Sequence, residues 1–315
     1  MTGIASSVAG FRRPDGTVGA RNHVLVLPSV VCAGMAASAI AGDDAIAIVH
    51  QHGCDHVGED AAQTSRVFLG LAGNPNVAST LLVGLGCETI QGRELYTDLS
   101  ALAKGVEYFE IQACGGSAQT VVSGRSGLED LVAGASRIGR SPAPPDAVVY
   151  GLATGPRVQT ELLEALTERI LAGGASLLVA LRDLPPDLGN RWRAVPVVEY
   201  GAAAPAGLAV TFGVSSLSEQ QTGLAASGAQ VVISLVPARH APTGTPISPV
   251  LSVATDRLTY EALHDDFDLD GSGADAGALS ERIVGLAREV FNGRPTAAER
   301  RGAQEFALHR LTRST

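Results

Sequence analysis

Thr80-Leu81-Leu82-Val83-Gly84-Leu85-Gly86-Cys87-Glu88 is the stretch on which the fold turns. Its apolar residues run without alternation, so both faces of the strand they form are covered, as in a parallel sheet held between helices. The run then breaks into two glycines and a Cys-Glu pair. Similar apolar runs recur at His23–Val31, Ala45–His50 and Val106–Ile111. The second half has Ala147–Leu152, Ser176–Leu181, Val195–Tyr200, Leu208–Phe212, Gln230–Val236 and Val250–Ala254. Each ends in Gly, Cys or a polar loop, and helical patterns separate them. This alternation predicts an α/β fold, doubly wound, with mostly parallel sheets and helices on both faces.

Arg140-Ser141-Pro142-Ala143-Pro144-Pro145-Asp146 marks the best boundary, because prolines cannot continue a helix and favour an extended linker. Two similar lobes are expected, 1–140 and 146–315, with no exact internal repeat. From Gly277 to Thr315 the chain reads as helical, with Leu279, Ile283, Leu286 and Val290 at helical spacing.

Composition narrows the function classes. The chain is 45% hydrophobic and 17% charged with 37 glycines, which excludes disorder. Aromatics make up only 4%, so Val, Leu, Ile and Ala must fill the core. A net charge of −9 argues against a nucleic-acid partner, but a few local cations can still attract an anionic metabolite. The acidic run Asp265–Asp270 reads as a solvated turn. Four cysteines with no basic, apolar leader point to a reducing, cytoplasmic setting. No apolar run is long enough for a membrane span.

Ligands of open α/β sheets sit beyond the carboxyl ends of strands. Cys32, Cys54, Cys87 and Cys114 all fall at or just past such ends; the plainer reading is four small buried hydrophobes. His50-Gln51-His52-Gly53-Cys54-Asp55-His56 is the densest cluster. Imidazole and thiolate together suit iron or zinc, imidazole alone suits acid/base work, and a polar loop is the alternative. The spacing is not that of a structural zinc site. In Gly84-Leu85-Gly86-Cys87-Glu88 the glycines admit a ligand close to backbone beside a soft and a hard donor. Gly115-Gly116, with Ser117 and Gln119 opening a helix, offers N–H groups to an anion but lacks a dinucleotide fingerprint. Gly10-Phe11-Arg12-Arg13-Pro14-Asp15-Gly16 reads as a turn before the first strand. Arg21-Asn22 stands at that strand's start, where Arg21 can grip a carboxylate or simply stay solvated.

Together these segments resemble the altronate/galactarate dehydratase family, which includes sulfolactate sulfo-lyase. Gly10 to Asn22 resembles its opening motif, and Pro28-Ser29-Val30-Val31-Cys32-Ala33 the segment that follows. His50 with Gly53-Cys54 matches a His-x-x-Gly-Cys element. Asn74-Pro75-Asn76 with Val83 to Glu88 matches another, and Ile111-Gln112 with Gly115-Gly116 a fourth. The order and spacing agree across residues 10–120. The second half departs from the pattern. Ala153-Thr154-Gly155-Pro156-Arg157 stands in place of Cys-Gly-Gly-Ser-Asp, and Leu235 to His240 in place of Thr-Thr-Gly-Arg-Gly. A Glu-Glu-Lys-containing segment before Val195 is missing.

The resemblance implies a lyase that eliminates water or sulfite β to a carboxylate with a divalent metal, generally Fe2+. It makes His50, Cys54, Cys87 and Glu88 the metal or catalytic residues, and Arg21, Asn22 and Gln112 substrate contacts. His52 lies outside the family element and is a local acid/base candidate. The resemblance also implies an acidic metabolite as substrate and a separate small amino-terminal-type subunit; a homo-oligomer is expected as well. A non-catalytic relative that binds such a metabolite or subunit is one rival reading. An iron–sulfur dehydratase using Cys32, Cys54 and Cys87 is another.

Overall fold

The computed structural model describes residues 8–54, 57–102, 104–155, 159–214 and 216–311. It is an α/β structure with two parallel sheets, one in each half of the chain. The first sheet holds β3 (His23–Pro28), β4 (Ile46–Ala47), β5 (Val77–Gly84) and β6 (Gly105–Glu110), in the spatial order β4-β3-β5-β6. The second holds β8 (Val149–Ala153), β9 (Ser176–Leu181), β10 (Leu208–Phe212), β11 (Val231–Val236), β12 (Val250–Ala254) and β13 (Leu269–Asp270), in the order β10-β9-β8-β11-β12-β13. In each sheet the chain winds outward to one side and then reverses. The reversals fall between β3 and β5 and between β8 and β11, where ligands of such folds bind.

Successive residues explain the double cover. In the first sheet Val24, Val26, Leu81 and Val83 bury against α1 (Gly34–Ala41) and α4 (Ser117–Ser136). Their neighbours Leu25, Leu27 and Leu82 face α2 (Gly58–Gly73) and α3 (Gly92–Ser100). The second sheet repeats the device. Leu177, Val179 and Ile233 meet α5 (Thr160–Ala172) and α8 (Ala276–Phe291), while Leu178, Ala180 and Val232 meet α6 (Leu217–Ala226). Every residue of β9, β11 and β12 is buried, which is why these strands are apolar apart from one serine each.

Four sequence expectations change. The Gly10–Gly16 stretch is not all turn, since Val8–Arg12 forms β1 and pairs antiparallel with β2 (Val18–Gly19). The proline-rich segment expected as a free linker is extended, but its first part is β7 (Arg140–Ala143), paired antiparallel with β1. An outer strand tolerates Pro142 because its missing N–H is not needed there. Val195–Tyr200 gives a single bridge, Val197 to Val210, instead of a strand. Finally, Asp268 in the acidic run is not solvated; its carboxylate accepts the backbone N–H of Ser252 and Ala297.

The carboxy-terminal region is only partly helical. After α8 come α9 (Ala297–Arg301), closed at its start by a Thr296–Glu299 capping box, and then a strap without helix over 302–311. Leu308 of the strap enters the core under α2, together with Ala225 and Ala226 of α6. Among the described residues no helix is long and apolar enough to cross a membrane.

Candidate functional site

β3 points its carboxyl end at Ser29 to Cys32, and β5 points its own at Leu85 to Glu88. The loop after β4 carries His50 to Cys54 to the same edge. Backbone bonds stitch the three loops together: Val31 N–H to the His52 carbonyl at 2.9 Å, and Thr89 N–H to the Gly53 carbonyl at 3.1 Å. The Thr89 hydroxyl adds a bond to the Cys54 carbonyl at 2.9 Å. Gly53 makes this possible, because its φ is +106° and a Cβ there would stand 2.5 Å from the Ser29 carbonyl oxygen. The histidine and cysteine loops expected to carry chemistry therefore meet at the point where the strand order reverses. Cys32, Cys54 and Cys87 are exposed there, and Cys114 is half-buried. Of the histidine cluster, Asp55 and His56 lie outside the described residues.

His50 is buried, and its ring nitrogens are engaged. Nδ1 accepts the His52 backbone N–H at 3.1 Å, so Nε2 carries the proton and donates to the Pro28 carbonyl at 2.8 Å. This fixes a neutral tautomer and orients the loop. The His52 ring stacks on it with centroids 5.7 Å apart. Phe68 and Phe306 complete an aromatic wall, with ring centroids 4.8 and 6.0 Å from that of His50.

Glu88 is only 1% exposed. It accepts the Ser29 hydroxyl at 2.7 Å and the backbone N–H groups of Leu85 and Gly86 at 3.2 and 2.6 Å. Burial alone would raise its pKa. The bonds from Ser29 and from the backbone N–H groups of Glu88, Gly86 and Leu85 outweigh that and hold the carboxyl below its ordinary range. Glu88 is thus an ionised anchor for its own loop, and its metal-binding role is revised accordingly.

Beside it opens a cavity of about 380 Å³ lined by Gly86, Glu88, Gln91, Arg93, Tyr108 and Glu110 among others. Tyr108 and Glu110 were not expected from the sequence, although alternation along β6 puts them on one side. The Tyr108 hydroxyl donates to Glu110 at 3.0 Å. Burial first, then Glu110 and Glu88, raise the phenol pKa, so it keeps its proton. Gln112 lies at the same edge, its amide oxygen 2.7 Å from where a Cβ on Gly86 would stand. Gly115 and Gly116 direct their N–H groups to the carbonyls of Gln112 and Ile111, so they are not available to an anion as expected.

Arg21 and Asn22 are corrected more fully. They precede β3, six residues from the edge that holds the cysteines, a distance of about 20 Å along a strand. All five donors of Arg21 are committed: two bonds to Glu299 and one each to the carbonyls of Ala20, Val290 and Arg294. Asn22 accepts from Arg13 and donates to the Ala135 carbonyl. Asn74 and Asn76 belong to the same hub. Asn74 donates to the carbonyls of Ala225 and Ala229, and Asn76 to those of Gln230 and Ile247. Arg21, Asn74 and Asn76 thus rivet one lobe to the other, while Asn22 ties elements within the first.

The second lobe closes its own reversal point. Gln220, 1% exposed, accepts the N–H groups of Thr154 and Gly155 at 2.9 and 3.2 Å, and Pro237 leans on Gly155. Arg157 of that segment lies outside the described residues. A cavity of about 380 Å³ lined by Thr154, Thr160, Arg182, Asp183 and Asp187 sits instead over β8 and β9.

The described residues do not by themselves fit a metal. No three of His, Cys, Asp or Glu among them converge as a ligand set, and His50 and Glu88 spend their donor atoms internally.

Among known proteins, residues 10–136 match the family described as the D-galactarate dehydratase/altronate hydrolase second domain, and residues 189–314 match the D-galactarate/altronate dehydratase C-terminal domain. The chain is similar to the (2R)-sulfolactate sulfo-lyase subunit beta of Chromohalobacter salexigens, 24% identical over 97% of both chains. Altronate dehydratase of Bacillus subtilis is 30% identical over 33% of this chain and 24% of its own length. That of Escherichia coli is 32% identical over 26% and 19%.

Proposed function

We propose a lyase reaction for this chain, which belongs to the D-galactarate dehydratase/altronate hydrolase family: elimination of water or sulfite β to the carboxylate of a hydroxy acid. The observation that carries it is the convergence of the His50–Cys54 and Gly86–Glu88 loops on the reversal point of the first sheet. End-to-end similarity to a sulfo-lyase subunit beta supports an enzyme of more than one subunit; in the reading proposed, this chain is its large subunit and works in the cytoplasm.

The chemistry needs a base for the weakly acidic proton α to the carboxylate. His52, held by its own N–H on His50 and stacked on that ring, is the imidazole presented at the edge. The C–H bond breaks, its electrons form the C=C bond, and the C–O or C–S bond to the leaving group breaks. Tyr108, which keeps its proton, lines the adjoining cavity with Gln112 at its rim. The family reading adds divalent iron. The described residues do not complete a site for it.

The test is turnover of (2R)-sulfolactate, altronate and galactarate by anaerobically purified protein, alone and with a small partner subunit, read as sulfite or keto-acid formation. Metal analysis of wild type beside Cys87→Ala and His50→Ala accompanies it. One iron per chain, lost in both variants, supports the metal-dependent reading. The sealed crevice of the second lobe favours a second reading, a relative that binds an acid without turning it over; ligand-induced stabilisation with no product would select it.

A further inference from the structure

We infer that Phe306, on the carboxy-terminal strap, is a positioning residue whose ring holds the His52 imidazole in the direction that proton abstraction needs; the inference rests on the reading of His52 as the base. An imidazole turns about a terminal torsion that is broad and soft, so the walls around the ring set where its nitrogens point. Two such walls stand at His52. The His50 ring lies against it nearly parallel, at 21° with centroids 5.7 Å apart. The Phe306 ring meets it crosswise, at 71° and 6.1 Å, the geometry of an edge-to-face aromatic pair. The parallel face resists a flip of the imidazole, and the crosswise ring resists its sliding along that face.

Both lobes hold the strap that carries Phe306. On the side of the second, the Glu305 N–H donates to the Gly244 carbonyl at 2.9 Å and the Ala307 N–H to the Thr222 hydroxyl of α6 at 3.3 Å. On the side of the first, the Gln63 amide donates to the His309 carbonyl and the Leu311 N–H to Asp60 at 2.8 Å. Leu308, between these ties, is buried as core under α2. Phe306 is placed differently. It is half-buried, and its ring lies 6.0 Å from His50 and 6.5 Å from Phe68 as well as against His52. A base must come within about 3 Å of the proton it removes, and a displacement of about 1 Å costs on the order of 100-fold in rate. The crosswise ring supplies that precision, and through it the far end of the chain reaches the histidine loop.

The test is a double-mutant cycle of kcat over wild type, Phe306→Leu, His52→Ala and the double variant, on whichever of (2R)-sulfolactate, altronate and galactarate is turned over. Phe306→Leu keeps apolar bulk without a ring, and should lower kcat about 10–100-fold with KM within about twofold. Phe306→Tyr, which restores a ring, should recover most of that loss. In the His52→Ala background the leucine should change kcat by less than about twofold, because the group it acts through is gone. An equal fall in both backgrounds would show a merely structural role and overturn the inference, as would full activity of Phe306→Leu. Nuclear magnetic resonance of histidine-labelled protein reads the same point without turnover. Cross-relaxation between the His50 and His52 rings should weaken by at least about half in Phe306→Leu. Unchanged cross-relaxation defeats the inference alone. A ring that loosens in Phe306→Leu, in a protein that eliminates from none of the three acids or keeps full activity as His52→Ala, defeats the lyase reading alone.

Discussion

The two lobes present the same topological opportunity and treat it differently. At the reversal of the first sheet, three exposed cysteines and the stacked His50–His52 pair stand beside an ionised Glu88, a protonated Tyr108 and a cavity. At the reversal of the second, the Gln220 amide caps the strand end and Pro237 fills the gap. The difference teaches that a doubly wound sheet supplies a place for chemistry, and loop residues decide whether it is used. On the proposed reading the first lobe carries the reacting groups, and the second contributes α6, the far side of the rivet and the strap.

The largest effect should come from breaking the first lobe's chemistry. His52→Ala is expected to lower kcat by about 10²–10⁴-fold, the usual worth of a positioned acid/base, with the melting temperature held within a few degrees. Steady-state kinetics on whichever acid is turned over checks this, and unchanged kcat would remove His52 from the mechanism. Arg21→Ala sharpens the contrast between site and rivet. It strands Glu299 and three carbonyls, so urea unfolding should show a loss of about 3–5 kcal/mol, while KM of the remaining folded enzyme stays put.

His23, at the hub, supplies a pH dependence. Burial, then the charge of Arg21, lowers its pKa to about 4, so the folded protein holds it neutral. The unfolded chain takes up its proton near the ordinary histidine value. Stability is therefore full above that value and lost as pH falls from about 6.5 towards 4, by no more than about 3 kcal/mol. Denaturation at pH 7 and pH 4.5 should show the loss in wild type and less of it in His23→Gln. Smallest is Gln220→Leu in the sealed lobe, which orphans the N–H groups of Thr154 and Gly155. It should cost about 1–3 kcal/mol and leave kcat unchanged; a large loss of activity would mean the second lobe takes part in the chemistry.

Much of this was legible in the sequence. Ser176–Leu181, Leu208–Phe212 and Val250–Ala254 are strands with those same bounds, because strands covered on both faces are predominantly apolar. The histidine and cysteine loops were legible because strand ends in parallel sheets share one edge. Motif spacing around Arg21 and Asn74-Pro75-Asn76 was legible too, but not its purpose. Polar side chains there bond carbonyls about 150 to 280 positions away, and no local pattern encodes such partners. The strap was hidden for the opposite reason. Phe306 and Leu308 follow a helical tail and read as its continuation, whereas their burial depends on a groove made by α2 and α6. Asp268 looked like one more charge in an acidic run until two backbone N–H groups claimed it.

The rivet and strap bear on how the chain reaches this state. Leu308 completes a core whose strands lie between residues 23 and 84, and Glu299 completes the bonds of Arg21. Contacts that span nearly the whole chain form late and couple what they join. The lobes are two by architecture but should unfold as one cooperative unit, with fluorescence of Trp192 in the second lobe and far-ultraviolet dichroism of the whole tracing a single transition. A fragment ending at residue 140 would leave the groove of α2 bare and an apolar face exposed to aggregation.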